Sequence, residues 1–166
     1  MTMLNDPSMK EIINDFCDES ASLFDQLEKS LNSLEENPSN TKELENFGQV
    51  IDRIMGAAKS IGATEIATFC ELGKVIGYKS SQIKDIPLIE VVVAILFDSV
   101  DMLRKMNLSL KAGNDTSMNK LNTKAFVTRL NWLSEKFKDI ERASCAPVST
   151  TLNQNSIDDL MKSLGL

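Results

Sequence analysis

Residues 41–62 read TKELENFGQVIDRIMGAAKSIG. Leu44, Phe47, Ile51, Ile54, Ala58 and Ile61 recur at alternating spacings of three and four, which places them on one face of an α-helix because side chains a turn apart stack above one another. Gly62 marks the stop, since glycine readily takes the left-handed conformation that closes a helix. The opposite face carries Glu45, Gln49, Asp52 and Gly56 at steps of four, three and four. A helix with one apolar stripe must bury it against other elements. The flanking segments decide which.

They predict more helices of the same kind. Upstream, residues 10–34 place apolar side chains at 12, 13, 16, 17, 23, 24, 27, 31 and 34, a one-sided stripe about six turns long. Asp6 and Pro7 offer a capping residue and a first-turn proline, and EENPSNT at 35–41 breaks the pattern. Downstream, residues 64–76 predict a third helix with Ile66, Phe69, Cys70, Gly73 and Ile76 inward, closed by Gly77. Pro87 opens a fourth, which runs to Lys111 and ends at Gly113. Its three valines, Val91 to Val93, suit a strand, but Val100, Leu103, Met106 and Leu110 continue at helical spacing and the length decides for helix. A fifth covers about residues 118–142, with Phe126, Leu130, Leu133, Phe137 and Ile140 inward and Trp132 at its edge. Long helices with short loops predict an all-α antiparallel bundle of four or five helices over residues 1–142.

Composition points the same way and narrows the chemistry. With 166 residues, 42% of them hydrophobic, the chain suits one domain with an adequate core. Seven glycines and four prolines leave few turns. There is no histidine at all, which excludes a histidine general base, a Ser-His-Asp or Cys-His nucleophile, histidine-ligated zinc and a phosphohistidine relay. Cys17, Cys70 and Cys145 are odd in number and far apart, with neither zinc spacing nor a disulfide framework. They fit a reducing compartment, Cys17 and Cys70 as small buried hydrophobes rather than reactive thiols. The longest apolar run, residues 86–97, includes Pro87 and Glu90 and is too short for a bilayer, and the N-terminus lacks a signal-peptide pattern. The expectation is a cytoplasmic protein with no membrane partner. Of the net charge of −6, residues 1–46 alone hold eleven acidic and three basic side chains. That acidity argues against a nucleic-acid partner and is explained by a solvated face.

After Arg142 the composition changes. Residues 143–155, ASCAPVSTTLNQN, contain no charge and read as a flexible linker, which would span about 20 Å on average and about 43 Å at full stretch. Residues 156–166, SIDDLMKSLGL, set Ile157, Leu160, Met161 and Leu164 on one face, with Ser156 and Asp159 as a capping pair. So short a helix is marginal alone in water. It needs a surface, either this chain's own bundle or a partner.

Two family resemblances bear on function. Within residues 8–80, FCDESASLFDQLEKSLNSLEENPSN (16–40) followed by IDRIMGAAKSIGA (51–63) resembles the histidine phosphotransfer (HPt) family of helical bundles. Ile54, Gly56, Ala58, Ile61 and Gly62 match the pattern that follows the phosphorylated histidine of that family. Asp52 stands at the histidine's place and Met55 at that of a lysine. The resemblance implies an HPt-like bundle whose second helix presents Asp52 and Gly56 to a receiver domain, Gly56 allowing close backbone approach. It does not imply phosphotransfer, because the nucleophile is missing.

The tail NQNSIDDLMKSLGL (153–166) is similar to the C-terminal helix of chemotaxis phosphatases of the CheZ type and to the regulator-binding peptide of FliM-type flagellar switch proteins. That implies a CheY-like response regulator as partner, held by Ile157, Asp158, Asp159, Leu160, Met161 and Leu164. Glu45 and Gln49 repeat the acid-x-x-x-glutamine spacing of the CheZ motif, with glutamate where that family has aspartate. By that likeness Glu45 and Gln49 are the catalytic candidates of an aspartyl-phosphate phosphatase. Asp52 and Gly56, on the face that the HPt resemblance turns to a receiver, and Lys59, one turn past Gly56, are the candidate partner contacts. The chemistry needs no cofactor of the chain's own. Mg²⁺ is expected on the partner receiver, and a glutamine amide can donate to one oxygen and accept from the attacking water. The alternatives are a non-catalytic pseudo-HPt module that binds a receiver or a CheA-like kinase, a helical subunit of a larger complex, and an outward face that serves solubility alone. A homodimer stays open.

Overall fold

The computed structural model describes residues 3–118, 121–144 and 154–166. Among them the structure is all-helical, without a strand. After short 3₁₀ turns at Met3–Asn5 and Pro7–Met9 come α1 (Lys10–Glu36), α2 (Lys42–Ser60), α3 (Thr64–Ser81), α4 (Ile86–Lys111), α5 (Lys124–Ser144) and α6 (Gln154–Ser163). The predicted all-α bundle is the architecture found.

The punctuation follows from local chemistry. Asp6 accepts a hydrogen bond from Ser8 N at 2.9 Å, and Asp85 caps α4 by accepting from Leu88 N at 3.1 Å. Gly62, at φ +77°, ends α2 through paired bonds: Gly62 N to Lys59 O at 3.2 Å and Ala63 N to Ala58 O at 2.9 Å. This double bond pattern satisfies carbonyls that a helix end otherwise leaves open.

The first four helices form a ring. Each packs on the next and α1 closes on α4. The pairing is antiparallel: Asp52 of α2 meets Lys74 of α3, while Leu44 and Glu45 share a cleft with Tyr78 and Ser81. On the α1–α4 seam, Arg104 reaches Asp25 and Glu28 at 2.7 and 3.1 Å, and Lys111 pairs with Asp18. Between these, Asn107 Nδ2 donates to the Cys17 carbonyl at 2.9 Å, while Asn107 Oδ1 has no partner. The core is filled by Phe24, Leu27, Leu31, Phe47, Ile51, Ile54 and Phe69. Phe126 of α5 extends it, its ring 5.8 Å from that of Phe69. α5 lies on α4, and α6 packs on α3 and α5.

Several boundaries differ from expectation. α3 does not close at Gly77 but continues to Ser81, because Gly77 is a packing residue: a Cβ there would touch Phe47 at 3.6 Å and the Leu44 carbonyl at 3.7 Å. α5 begins at Lys124, six residues later than read, although Met118 is buried in the core. Phe126, Leu130, Leu133 and Phe137 face inward as expected, whereas Ile140 is 40% exposed. Trp132 is exposed with Lys136 Nζ 5.4 Å from its ring centroid. The expected linker at 143–155 is shorter at both ends, since α5 runs to Ser144 and α6 begins at Gln154. Its middle, 145–153, with Cys145, lies outside the described residues. No described helix is long and apolar enough to cross a membrane.

Candidate functional site: the cleft between α2 and α3

The stripe that faces away from the core of α2 does not stand alone. Glu45, Gln49 and Asp52 line a cleft of about 310 Å³ together with Leu44, Gly48, Lys74, Tyr78 and Ser81. The cleft exists because α2 and α3 approach closely, and they do so at Gly73. A Cβ at that position would lie 2.8 Å from Ile51 Cδ1, a distance no side chain tolerates without a shift of its neighbour.

Inside the cleft the polar groups are arranged unequally. Lys74 Nζ sits 2.8 Å from Asp52 Oδ1. The side chains of Glu45 and Gln49 have no hydrogen-bond or ion-pair partner among the described residues. Gln49 also borders a second groove, between α1 and α2, lined by Gln26, Lys29, Ser33 and Glu43. Its amide therefore stands on the ridge between two depressions. Tyr78, 52% exposed, forms an aromatic wall of the cleft.

Asp52 is flanked one turn before and one turn after by Gly48 and Gly56, and a Cβ built on either meets nothing within 4 Å. A glycine inside a helix costs about 1 kcal/mol relative to alanine. Neither glycine is explained by packing among the described residues. Together they leave the backbone of α2 bare on both sides of Asp52, so another surface can come close. Gly56 and Lys59 lie on the same exposed face but beyond the lining of the cleft.

Sequence reasoning placed Glu45, Gln49 and Asp52 on one face, and the structure puts them in one cleft. It missed Lys74 and Tyr78, because they belong to α3 and join the site only through tertiary pairing. The i, i+4 spacing of Lys74, Tyr78 and the following turn on a glycine-containing helix was the only available signal.

The tail residues are brought elsewhere. Ile157, Met161 and Leu164 are buried, and Leu160 and Leu166 pack partly against the core. Asp158 Oδ1 accepts from Ser134 Oγ at 3.0 Å, and its other oxygen is 3.6 Å from Lys138 Nζ. Asp159 is exposed. α6 starts at Gln154, two residues before Ser156, so the expected capping pair of Ser156 and Asp159 does not mark its start. The Leu-Gly-Leu ending has a local cause: with Gly165 at φ +74°, Gly165 N bonds to Lys162 O at 3.1 Å and Leu166 N to Met161 O at 2.9 Å. This is the same glycine closure that ends α2.

The two described cysteines are buried and free. Burial pushes the Cys17 thiol up to about 11, and Cys70 higher still, so both are protonated and inert as nucleophiles at neutral pH. Among the described residues no group of three histidine, cysteine, aspartate or glutamate side chains could hold a metal ion. Comparison of the chain with known protein families, curated proteins and solved structures finds no match.

Proposed function

We propose that the α2–α3 cleft is the docking face for a CheY-like receiver domain and that Gln49 promotes hydrolysis of its aspartyl phosphate. The observation that carries this reading is the placement of Glu45, Gln49 and Asp52 in one open cleft, with Gly48 and Gly56 clearing the approach. An aspartyl phosphate is already activated, and its Mg²⁺ belongs to the receiver. The helper need only orient a water in line with the P–O bond, which breaks as the water oxygen bonds to phosphorus and releases inorganic phosphate and a free aspartate. The unpaired Gln49 amide can donate to a phosphoryl oxygen and accept from that water. Glu45, one turn earlier, can pair with a cation of the receiver and fix the register.

A second reading has its own support. Gln49 stands on a ridge with nothing to hold its amide in one orientation, whereas catalytic groups act best when preorganised. On that ground the same face serves as a non-catalytic receiver-binding or kinase-binding module. The two readings separate in one experiment: release of inorganic phosphate from a phosphorylated CheY-like receiver with Mg²⁺ present, for wild type, Gln49→Ala and Glu45→Ala. The phosphatase reading expects acceleration that Gln49→Ala removes at unchanged binding. Binding without acceleration at any concentration leaves the module.

A further inference from the structure

The stripe Ile157, Met161 and Leu164 is buried against the chain's own α3 and α5. It is also the stripe that a receiver would have to bury if the tail is a docking peptide. One apolar face cannot be covered twice. We infer that the seat of α6 on the bundle is an autoinhibitory contact: the receiver and the α3–α5 groove compete for the same side chains, and α6 must leave before it can be captured. This rests on the receiver-docking reading of the tail and adds its regulation.

The seat has the character of a detachable contact. α6 is ten residues long and touches the bundle along one face, against two helices. One polar clasp of α6 is Asp158, held by Ser134 and Lys138. That ion pair is not sealed from water, with Lys138 31% and Asp158 46% exposed, and Lys138 is shared with Glu135 at 3.0 Å. Solvated pairs of this kind contribute little. Elements with few buried contacts and exposed polar links open locally without unfolding the whole. The buried side chains of α6 join the same apolar cluster as the four-helix ring, and α6 meets that ring through α3.

The coupling is quantitative. If only the released form binds, apparent receiver affinity scales with the fraction of molecules in which α6 is open. Amide hydrogen exchange of α6 scales with the same fraction. Lys138→Glu and, as a milder change, Ser134→Ala weaken the clasp from the bundle side and leave every residue of α6 intact. In the full-length protein, α6 exchange and receiver affinity should rise by the same factor in each variant, with exchange of α1 and α4 unchanged. Faster α6 exchange with unaltered or weaker receiver affinity overturns the competition while leaving the tail as a docking element. Equal receiver binding by wild type and a 153–166 deletion overturns both, because the tail is then not the docking element at all.

Discussion

Lys74 of α3 lies 2.8 Å from Asp52 of α2, in the cleft that the unpaired Gln49 also lines. The lysine therefore neutralises the carboxylate that stands between the two bare glycines, Gly48 and Gly56. Both partners are more than two-fifths exposed, 41% and 48%, so the pair contributes at most about 1 kcal/mol to folding. Its effect is on the charge that the face presents.

Lys74→Ala should accordingly shift the urea midpoint very little, by the equivalent of less than about 1 kcal/mol. It leaves Asp52 uncompensated on the face proposed to meet the acidic phosphorylation pocket of a receiver. Receiver binding should weaken, and the loss should be greatest at low salt, where surface charges are least screened. Titrations at two ionic strengths check this; an equal loss at both would show that the lysine acts by contact alone.

The glycines of the two helices should respond in opposite ways. Gly56→Ala meets open space and should stabilise the protein by about 0.5–1 kcal/mol in urea unfolding, while hindering the approach of a partner. Gly73→Ala brings its Cβ to 2.8 Å from the terminal methyl of the buried Ile51, which must shift; overpacking strain of about 1–3 kcal/mol set against a propensity gain of about 1 kcal/mol should leave a net loss below about 2 kcal/mol. If Gly56→Ala leaves receiver affinity untouched, the bare backbone beside Asp52 has no part in docking.

The buried thiols set an alkaline limit. The Cys17 thiol is held up at about 11 against an ordinary 9.0, chiefly by burial. Below pH 9.0 the folded and unfolded chains both keep the proton and the contribution is fully present. As pH rises from about 9 to 11 the unfolded chain loses protons that the folded one retains, so stability falls through that window. Chemical denaturation at pH 8 and pH 10 should show the loss, and Cys17→Ala should reduce its slope.

The positions of the helices were legible because their signals are local. The threes and fours of α2, the glycines at 62 and 113 and the proline in the first turn of α4 each act within a turn or two of themselves. Gly77 misled for a physical reason: a glycine that ends a helix and a glycine that lets another helix approach are the same residue in a sequence, and it takes Phe47 and the Leu44 carbonyl of α2 to tell them apart. The site was half legible in the same sense. Glu45, Gln49 and Asp52 share a helix, so spacing placed them, while Lys74 and Tyr78 arrive through the pairing of α2 with α3. For the tail, the Leu-Gly-Leu ending that resembles a docking peptide is also what a glycine-closed helix requires. The burial of its apolar face on α3 and α5 could not be read from residues 156–166 alone.

Asn107 gives the bundle something that its apolar side chains cannot. α1 and α4 are 27 and 26 residues long, and two such greasy rods can slide by one turn while still covering most of each other. A slide would strand the Asn107 amide, which now meets the Cys17 carbonyl, in a dry seam where a lost hydrogen bond costs about 1–3 kcal/mol. The amide already tolerates one idle oxygen to hold that place. It works as a tooth in a ratchet: Asn107→Leu should fold with comparable or greater stability yet lose the unique alignment of α4, visible as broadened resonances along the α1–α4 seam.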